Sequence, residues 1–304
     1  MKAPLSFLIF ALVVAGAAQQ SSHPLVQTEM RNVMYHFSTA IAVHIAYLDG
    51  ELASTSSGGI PTFDDPNSFT ILIRSAKISV SIESLSSALN QYVLAARDAP
   101  IKAIQITSQS SKLKIKGRLH SKGDVAFETE GELSVTPDGR IRVHTEKIKA
   151  GHLPVKGLMD LLGEDLSELI DTRKIAGLTI DKNDLLLTPS ELFPPPHIHG
   201  KLTSISIAGD EIIQQYGDAV PPALIAGNYM AYHGARLRFG KLTMNDADLL
   251  LIDMNPQDPF DFYLDHYKQQ MAAGYTKITL NFGLHSYFRD YNKLPHQREG
   301  GVRR

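Results

Sequence analysis

The chain has 304 residues, a formal net charge of −2, 43% hydrophobic residues and 20% charged residues. This suits one large globular domain or two modest ones, and the near-neutral balance supplies no basic field for nucleic acid. Cysteine is absent, which excludes disulfides, thiolate metal sites, a cysteine nucleophile and the acylated cysteine of a bacterial lipoprotein anchor.

Met1 to Ala18 reads as a secretory signal, with Lys2 as a minimal positive start, an apolar run from Leu5 to Val14, and small residues at Ala15-Gly16-Ala17-Ala18. The apolar run is well short of the ~20 residues that span a bilayer. Cleavage near Ala18 is therefore expected, leaving a secreted or periplasmic bacterial protein. Residues 19–34 are polar and then weakly helical from Leu25 to Met34. From Phe37 the chain alternates (Phe37, Thr39, Ile41, Val43, Ile45, Tyr47), predicting a long one-faced strand that ends at Asp49-Gly50 or Ser54. Thr55 to Ser68 is loop chemistry. Phe69, Ile71 and Ile73 open a second strand, extended by Ile78 and Val80. A helix is predicted from about Ile82 to Arg97, with Ser81 as N-cap and a stripe of Leu85, Ala88, Leu89, Tyr92, Val93 and Ala96.

Ile104 and Ile106 lead into the most regular stretch, Lys112 to Val143. Leu113, Ile115 and Leu119 alternate with Lys112, Lys114, Lys116 and Arg118. Val125, Phe127, Leu133 and Val135 alternate with Glu128, Glu130, Glu132 and Ser134; Ile141 and Val143 alternate with Arg140, Arg142 and His144. Ser121 to Asp124 and Pro137-Asp138-Gly139 are turns between them. Two registers keep the dry faces together: Lys114 opposite Glu132 with Lys116 opposite Glu130, or Lys114 opposite Glu130 with Lys116 opposite Glu128. Exposed charge pairs contribute only ~0.2–1 kcal/mol each, against ~1.5–3 kcal/mol for each dry side chain covered, so whatever covers the dry face decides the fold. Gly117, Thr129 and Gly131 lie on that face, where small residues either leave room or permit twist in a filled core.

A second helix is predicted from Pro154 to Ile170, its stripe including Val155, Leu158, Met159, Leu162 and Leu166. Leu178–Ile180 and Leu185–Leu187 are short strands, Pro194-Pro195-Pro196 a stiff connector, and Ile198, Leu202, Ile205 and Ile207 strand-like. A Gly209-Asp210 turn leads to Ile212, Ile213 and Tyr216. Further strands follow at Tyr229–Tyr232, Arg236–Thr243, Asp248–Met254 and Thr276–Leu280, with a helical piece near Tyr263–Met271. The division expected is a signal at 1–18, an α+β domain at 19–216, a β-rich extension at 223–291 packed on the same sheet, and a disordered tail at 292–304. The fold class is α+β, a long, strongly twisted antiparallel sheet with two amphipathic helices against one side and additional C-terminal strands.

Glu130 to Ile141 (Glu-Gly-Glu-Leu-Ser-Val-Thr-Pro-Asp-Gly-Arg-Ile), Leu153-Pro154-Val155 and Leu202-Thr203-Ser204-Ile205-Ser206-Ile207 make the segment from about Leu113 to Tyr216 resemble the LmeA-like phospholipid-binding family of TULIP-like tubular lipid-binding domains. Phe193-Pro194-Pro195-Pro196 stands where that family has a Leu-Pro-Phe-Gly-type element, and everything after Tyr216 lies outside the resemblance. The resemblance implies a curved sheet wrapped around the helices and an apolar tunnel for acyl chains. The residues expected to line it are Leu85, Leu89, Leu113, Ile115, Gly117, Leu119, Val125, Phe127, Gly131, Leu133, Val143, Leu158 and Leu162.

Gly-x-Ser-x-Gly and phosphate loops are absent, and no catalytic residue, cofactor or resident metal is expected. The alternative chemistry is a metal-dependent hydrolase using His197 and His199 on one side of a strand. A third reading is an envelope scaffold, with Pro259-Phe260-Asp261-Phe262-Tyr263 to Tyr267, Tyr287-Phe288 and Tyr291 as a surface for an envelope protein partner. The partner otherwise expected is a lipid or acyl chain, with membrane contact transient at most. The Lys112–Arg118 row is positioned to touch anionic headgroups but is expected to be neutralised by the facing glutamates.

Overall fold

A computed structural model describes residues 25–119, 124–145, 149–150 and 175–294. The predicted signal, the turn at 121–123, the helix at 154–170 with Leu158 and Leu162, and the tail from 295 lie outside the described residues.

The first part of the chain forms β1 (Val26–Ser38), β2 (Ile41–Ser54), β3 (Phe69–Ser81) and helix α1 (Ile82–Ala88), which runs on as a π turn (Leu89–Val93). Then come β4 (Ile101–Gln109), β5 (Lys112–Leu119), β6 (Val125–Val135), β7 (Ile141–Thr145) and β8 (Lys149–Ala150). Next are β9 (Leu178–Asp181), β10 (Asp184–Leu187), β11 (His197–His199), β12 (Leu202–Ala208) and β13 (Glu211–Tyr216). The last part holds β14 (Tyr229–Gly234), β15 (Leu237–Phe239), β16 (Leu242–Met244) and β17 (Ala247–Asp253). It ends with β18 (Phe260–Tyr263), helix α2 (Tyr267–Ala273), β19 (Tyr275–Ile278) and β20 (Leu284–Phe288).

Strand dominates, and the described residues contain two α-helices of seven residues each. An 11-stranded sheet runs β12-β13-β3-β2-β1-β14-β17-β20-β19, with β11 on β3 and β18 on β1. A 7-stranded sheet runs β4-β5-β6-β7-β10-β9, with β8 on β6. Pairing is antiparallel except for β1–β18, β3–β11 and β17–β20. β14, β17, β18, β19 and β20 therefore continue the sheet begun by β1 to β3, while β15 and β16 pair as a separate two-stranded sheet.

The stretch read as helical from Leu25 to Met34 is strand from Val26 onward. Val26, Thr28 and Met30 are buried, then Val33 and Tyr35. The phase breaks at Asn32, whose backbone is left-handed (φ 49°). The break turns a period-two pattern into i, i+4, i+7 spacing, which imitates a helix. Neighbouring strands change phase on the same row: Tyr47, opposite Arg31, and Leu48 are both buried, as are Ser75 and Ala76, the latter opposite Leu48.

Ser81 caps α1, its side chain accepting from the Ser84 N–H. The helical run stops at Val93, short of the predicted Arg97. Asn90 ties this end to β4: its Nδ2 donates to the Ile104 carbonyl (2.7 Å) and its Oδ1 accepts from the Ile104 N–H (2.9 Å). Those groups sit at a bulge of β4, where Ala103 is left-handed (φ 53°) and the pairing with β5 slips, so one amide satisfies backbone that the ladder leaves open.

The β5–β6 register is the second of the two predicted, with Lys114 opposite Glu130 and Lys116 opposite Glu128. Lys114 reaches diagonally to Glu128 (2.7 Å), and Lys112 pairs with Glu132 (3.2 Å). The Lys114 hydrogen bond holds the Glu128 carboxyl below its usual range. Thr136 to Arg140 closes the β6–β7 turn, with Gly139 at φ 83°. The stretch Arg236–Thr243 is a small hairpin, β15–β16, because Gly240 (φ 58°) and Lys241 turn the chain. Tyr291–Lys293 forms a 3-10 turn, and the Lys293 ammonium pairs with Asp258 (3.0 Å) and Asp290 (2.8 Å).

Within the aromatic segment read as a partner surface, the phenylalanines and Tyr267 are core, while Tyr263, Tyr287 and Tyr291 are half-buried. Phe260, Phe262 and Phe288 are fully buried and Tyr267 nearly so. Phe63 packs edge-on to Tyr232, Phe239, Phe262 and Tyr267 at ring separations of 5.1–6.0 Å.

Candidate functional site

The dry face of the smaller sheet meets α1 and its π turn, the end of β3, and the edge strand β12 with its neighbour β13 of the larger sheet. The meeting is incomplete. A cavity of about 100 Å³ remains, walled by Leu85 and Leu89 from the helix, Ile104 and Ile106 from β4, Leu113 and Ile115 from β5, and Leu133 from β6. Ile141, Val143, Leu178, Leu185 and Leu187 continue the wall, and Val80, Leu192, Phe193, Ile205, Ile212 and Gln214 close it on the side of the larger sheet. Apart from Gln214, every residue of this wall is aliphatic or aromatic. A cavity so lined stays dry and favours an apolar occupant.

A second cavity of about 50 Å³ lies against the larger sheet, bounded by Met30, Tyr35, Phe37, Val43, Ile45, Leu48, Ile71, Ile78, Pro189, Ser190, Pro196, His197 and Ile198. Phe193 and Gln214 belong to both walls. Phe193 stacks on Phe37 (centroids 5.8 Å apart), and the Gln214 Oε1 accepts from the Tyr216 hydroxyl (2.9 Å). These two side chains are the partition between two apolar spaces.

Of the residues expected to line a tunnel, Leu85, Leu89, Leu113, Ile115, Leu133 and Val143 meet at the larger cavity. Leu119 and Phe127 are buried in the surrounding core and Val125 is half-buried, none of them on the wall. The two glycines do not open space. A Cβ on Gly117 would lie 2.8 Å from Ile104 Cδ1 and 2.8 Å from Phe127 Cε1, and one on Gly131 would lie 2.7 Å from Val143 Cγ1. Larger neighbours already occupy the room that small residues free, which is the twist-and-packing use of strand glycine.

Ile205 and Ile212 were legible as strand residues, but nothing local told that their strands lie over the β4–β7 face. Leu192 and Phe193 carry no periodic signal and come to the wall from a loop.

His197 and His199 do not converge on a third ligand, and the described residues contain no group of three His, Asp or Glu side chains placed to hold a metal. The His197 Nδ1 donates to the Ser190 carbonyl (2.7 Å), which fixes the tautomer and gives the ring a positioning role in the second cavity's wall. No helix among the described residues is long and apolar enough to cross a membrane. No family model matches this chain, and no curated protein or solved structure is significantly similar to it.

Proposed function

We propose that this chain is a non-catalytic, exported protein that binds a lipid or another long apolar ligand between its two sheets, in a bacterial periplasm or outside the cell. The observation that carries this reading is the larger cavity, whose wall is apolar but for one amide. The resemblance of residues 113–216 to tubular lipid-binding domains supplies the same reading from sequence, including a sheet that wraps its helices.

The mechanism is passive partition. A cavity near 100 Å³ takes several methylene groups, since an engineered apolar void of ~150 Å³ takes a benzene ring. A longer acyl chain requires Phe193 to swing aside and join the two spaces, with Gln214 left as a donor or acceptor for an ester or carboxyl oxygen. Headgroups remain at the rim.

The test is binding of a fluorescent fatty acid to delipidated protein, with unlabelled phospholipid as competitor. Phe193→Ala joins the cavities and is expected to raise affinity. Ile205→Glu places a carboxylate at a half-buried wall position, from which it reaches water without unfolding the chain, and is expected to abolish binding. Equal binding by all three proteins, or none by the parent, would overturn the proposal.

A further inference from the structure

The hairpin joining β19 to β20 carries an anomaly that neither folding nor the cavity explains. Leu280 is 99% exposed, Phe282 90% and Ile278 72%. Turn positions ordinarily take polar residues or glycine, and Phe282 adopts a left-handed backbone (φ 63°) that disfavours a bulky side chain. The tip is nonetheless firmly built. Thr279 N–H donates to the Gly283 carbonyl (2.8 Å), Phe282 N–H to the Thr279 carbonyl (3.0 Å), and Gly283 N–H to Thr279 Oγ1 (2.8 Å). Gly283 is confined against Asp248, whose Oδ2 would lie 2.0 Å from any Cβ placed there. The fold therefore holds three large apolar side chains out into solvent at the last strand of the sheet.

What lies behind the tip identifies the occupant. Tyr275 and Tyr287 stack across the two strands (4.4 Å between centroids), and the Lys277 ammonium lies 5.3 and 5.4 Å from their ring centres. At ~3.3 Å per residue, Lys277 sits about 10 Å of chain behind Leu280. A lysine about 10 Å behind the tip and aromatic rings about 16 Å behind it, by the same ~3.3 Å per residue, suit the headgroup zone of a bilayer, with the apolar tip at the acyl boundary ~5–10 Å deep. A protein partner suits it less well: a stable interface takes ~800 Å² from each side, and a convex tip of three side chains offers less.

We propose that residues 278–282 are a membrane-docking tip that inserts Leu280 and Phe282 shallowly into a lipid bilayer, with Tyr275, Tyr287 and Lys277 at headgroup level. This stands whether or not the cavity holds lipid.

The chain has no tryptophan, so Leu280→Trp gives the full chain a single indole reporter at the tip. With phosphatidylcholine vesicles containing a minority of phosphatidylglycerol, its emission is expected to shift to the blue and to be quenched by lipids brominated near the carbonyl end of the acyl chain. In vesicle sedimentation, Leu280→Asp is expected to lower the partition coefficient roughly tenfold or more with thermal unfolding unchanged. Unaltered indole emission at saturating vesicles would overturn the proposal. So would a vesicle-free dimer, seen by velocity sedimentation, that Leu280→Asp dissolves; the occupant would then be a second copy of the chain.

Discussion

Adding one methylene at Val80 separates an open interior from a filled one. Val80 is 2% exposed and lies on the wall of the larger cavity. A void of about 100 Å³, at ~24 cal/mol per Å³, corresponds to about 2.4 kcal/mol of packing left unmade. Val80→Ile keeps the branched, strand-favouring side chain and buries one further methylene, worth ~0.8 kcal/mol. Part of that gain is offset by rotamer restriction, so the delipidated protein is expected to gain ~0.5–1 kcal/mol. Val33, fully buried and on neither cavity wall, is the control: there the same methylene has no space and costs ~1–3 kcal/mol. Urea midpoints at constant m measure both. Delipidation matters because a ligand bound to the folded state adds its own stabilisation, and in loaded protein the sign at Val80 is expected to reverse as the methylene competes with ligand. If Val80→Ile destabilises the delipidated chain as much as Val33→Ile, the interior is closed and the reasoning fails.

Gly117→Ala is expected to destabilise by about 1 kcal/mol, since overpacking against Ile104 and Phe127 at ~1–3 kcal/mol outweighs the ~0.5–1 kcal/mol that alanine gains over glycine in a strand. A double-mutant cycle with Phe127→Leu should recover most of the loss. His197→Ala leaves the Ser190 carbonyl without its donor and is expected to lower stability by ~0.5–1.5 kcal/mol, with no dependence on added zinc; a zinc-dependent melting temperature in the parent chain would restore the metal reading. Burial raises the Asp253 carboxyl to about 6, against hydrogen bonds from Asn255 and Asn228 that lower it. The folded chain therefore holds this proton more tightly than the unfolded one, and stability falls as pH rises from ~4 to about 6. Asp253→Asn should flatten thermal stability across that window; an unchanged slope would remove Asp253 as its source.

The parts of the fold written in strict period two were legible. The β5–β7 hairpins depended only on which residues are dry, and the turn at Pro137-Asp138-Gly139 follows from its own chemistry. Register between two equally dry alternatives was not legible, because shifting by two residues keeps every apolar side chain on its face. β1 was hidden by the phase break at Asn32, which mimics helical spacing. Part of the cavity wall was readable as the dry face of β5–β7 and the stripe of α1. The rest comes from β3, β4, β9 and β10 and from β12, β13 and the Leu192–Phe193 loop, and the covering of one sheet by the edge of another is a long-range choice with no local signature. The glycines misled for a related reason: whether a missing side chain leaves a hole depends on a neighbour such as Phe127, ten residues away along the chain.

The most direct measurement is native mass spectrometry, with lipid extraction, of the intact chain purified from its own host. The account predicts a mass increment matching a lipid or fatty acid, released by organic solvent and diminished in Ile205→Glu. Repeated recovery of the bare polypeptide mass, from preparations in which added phospholipid also fails to bind, would contradict it.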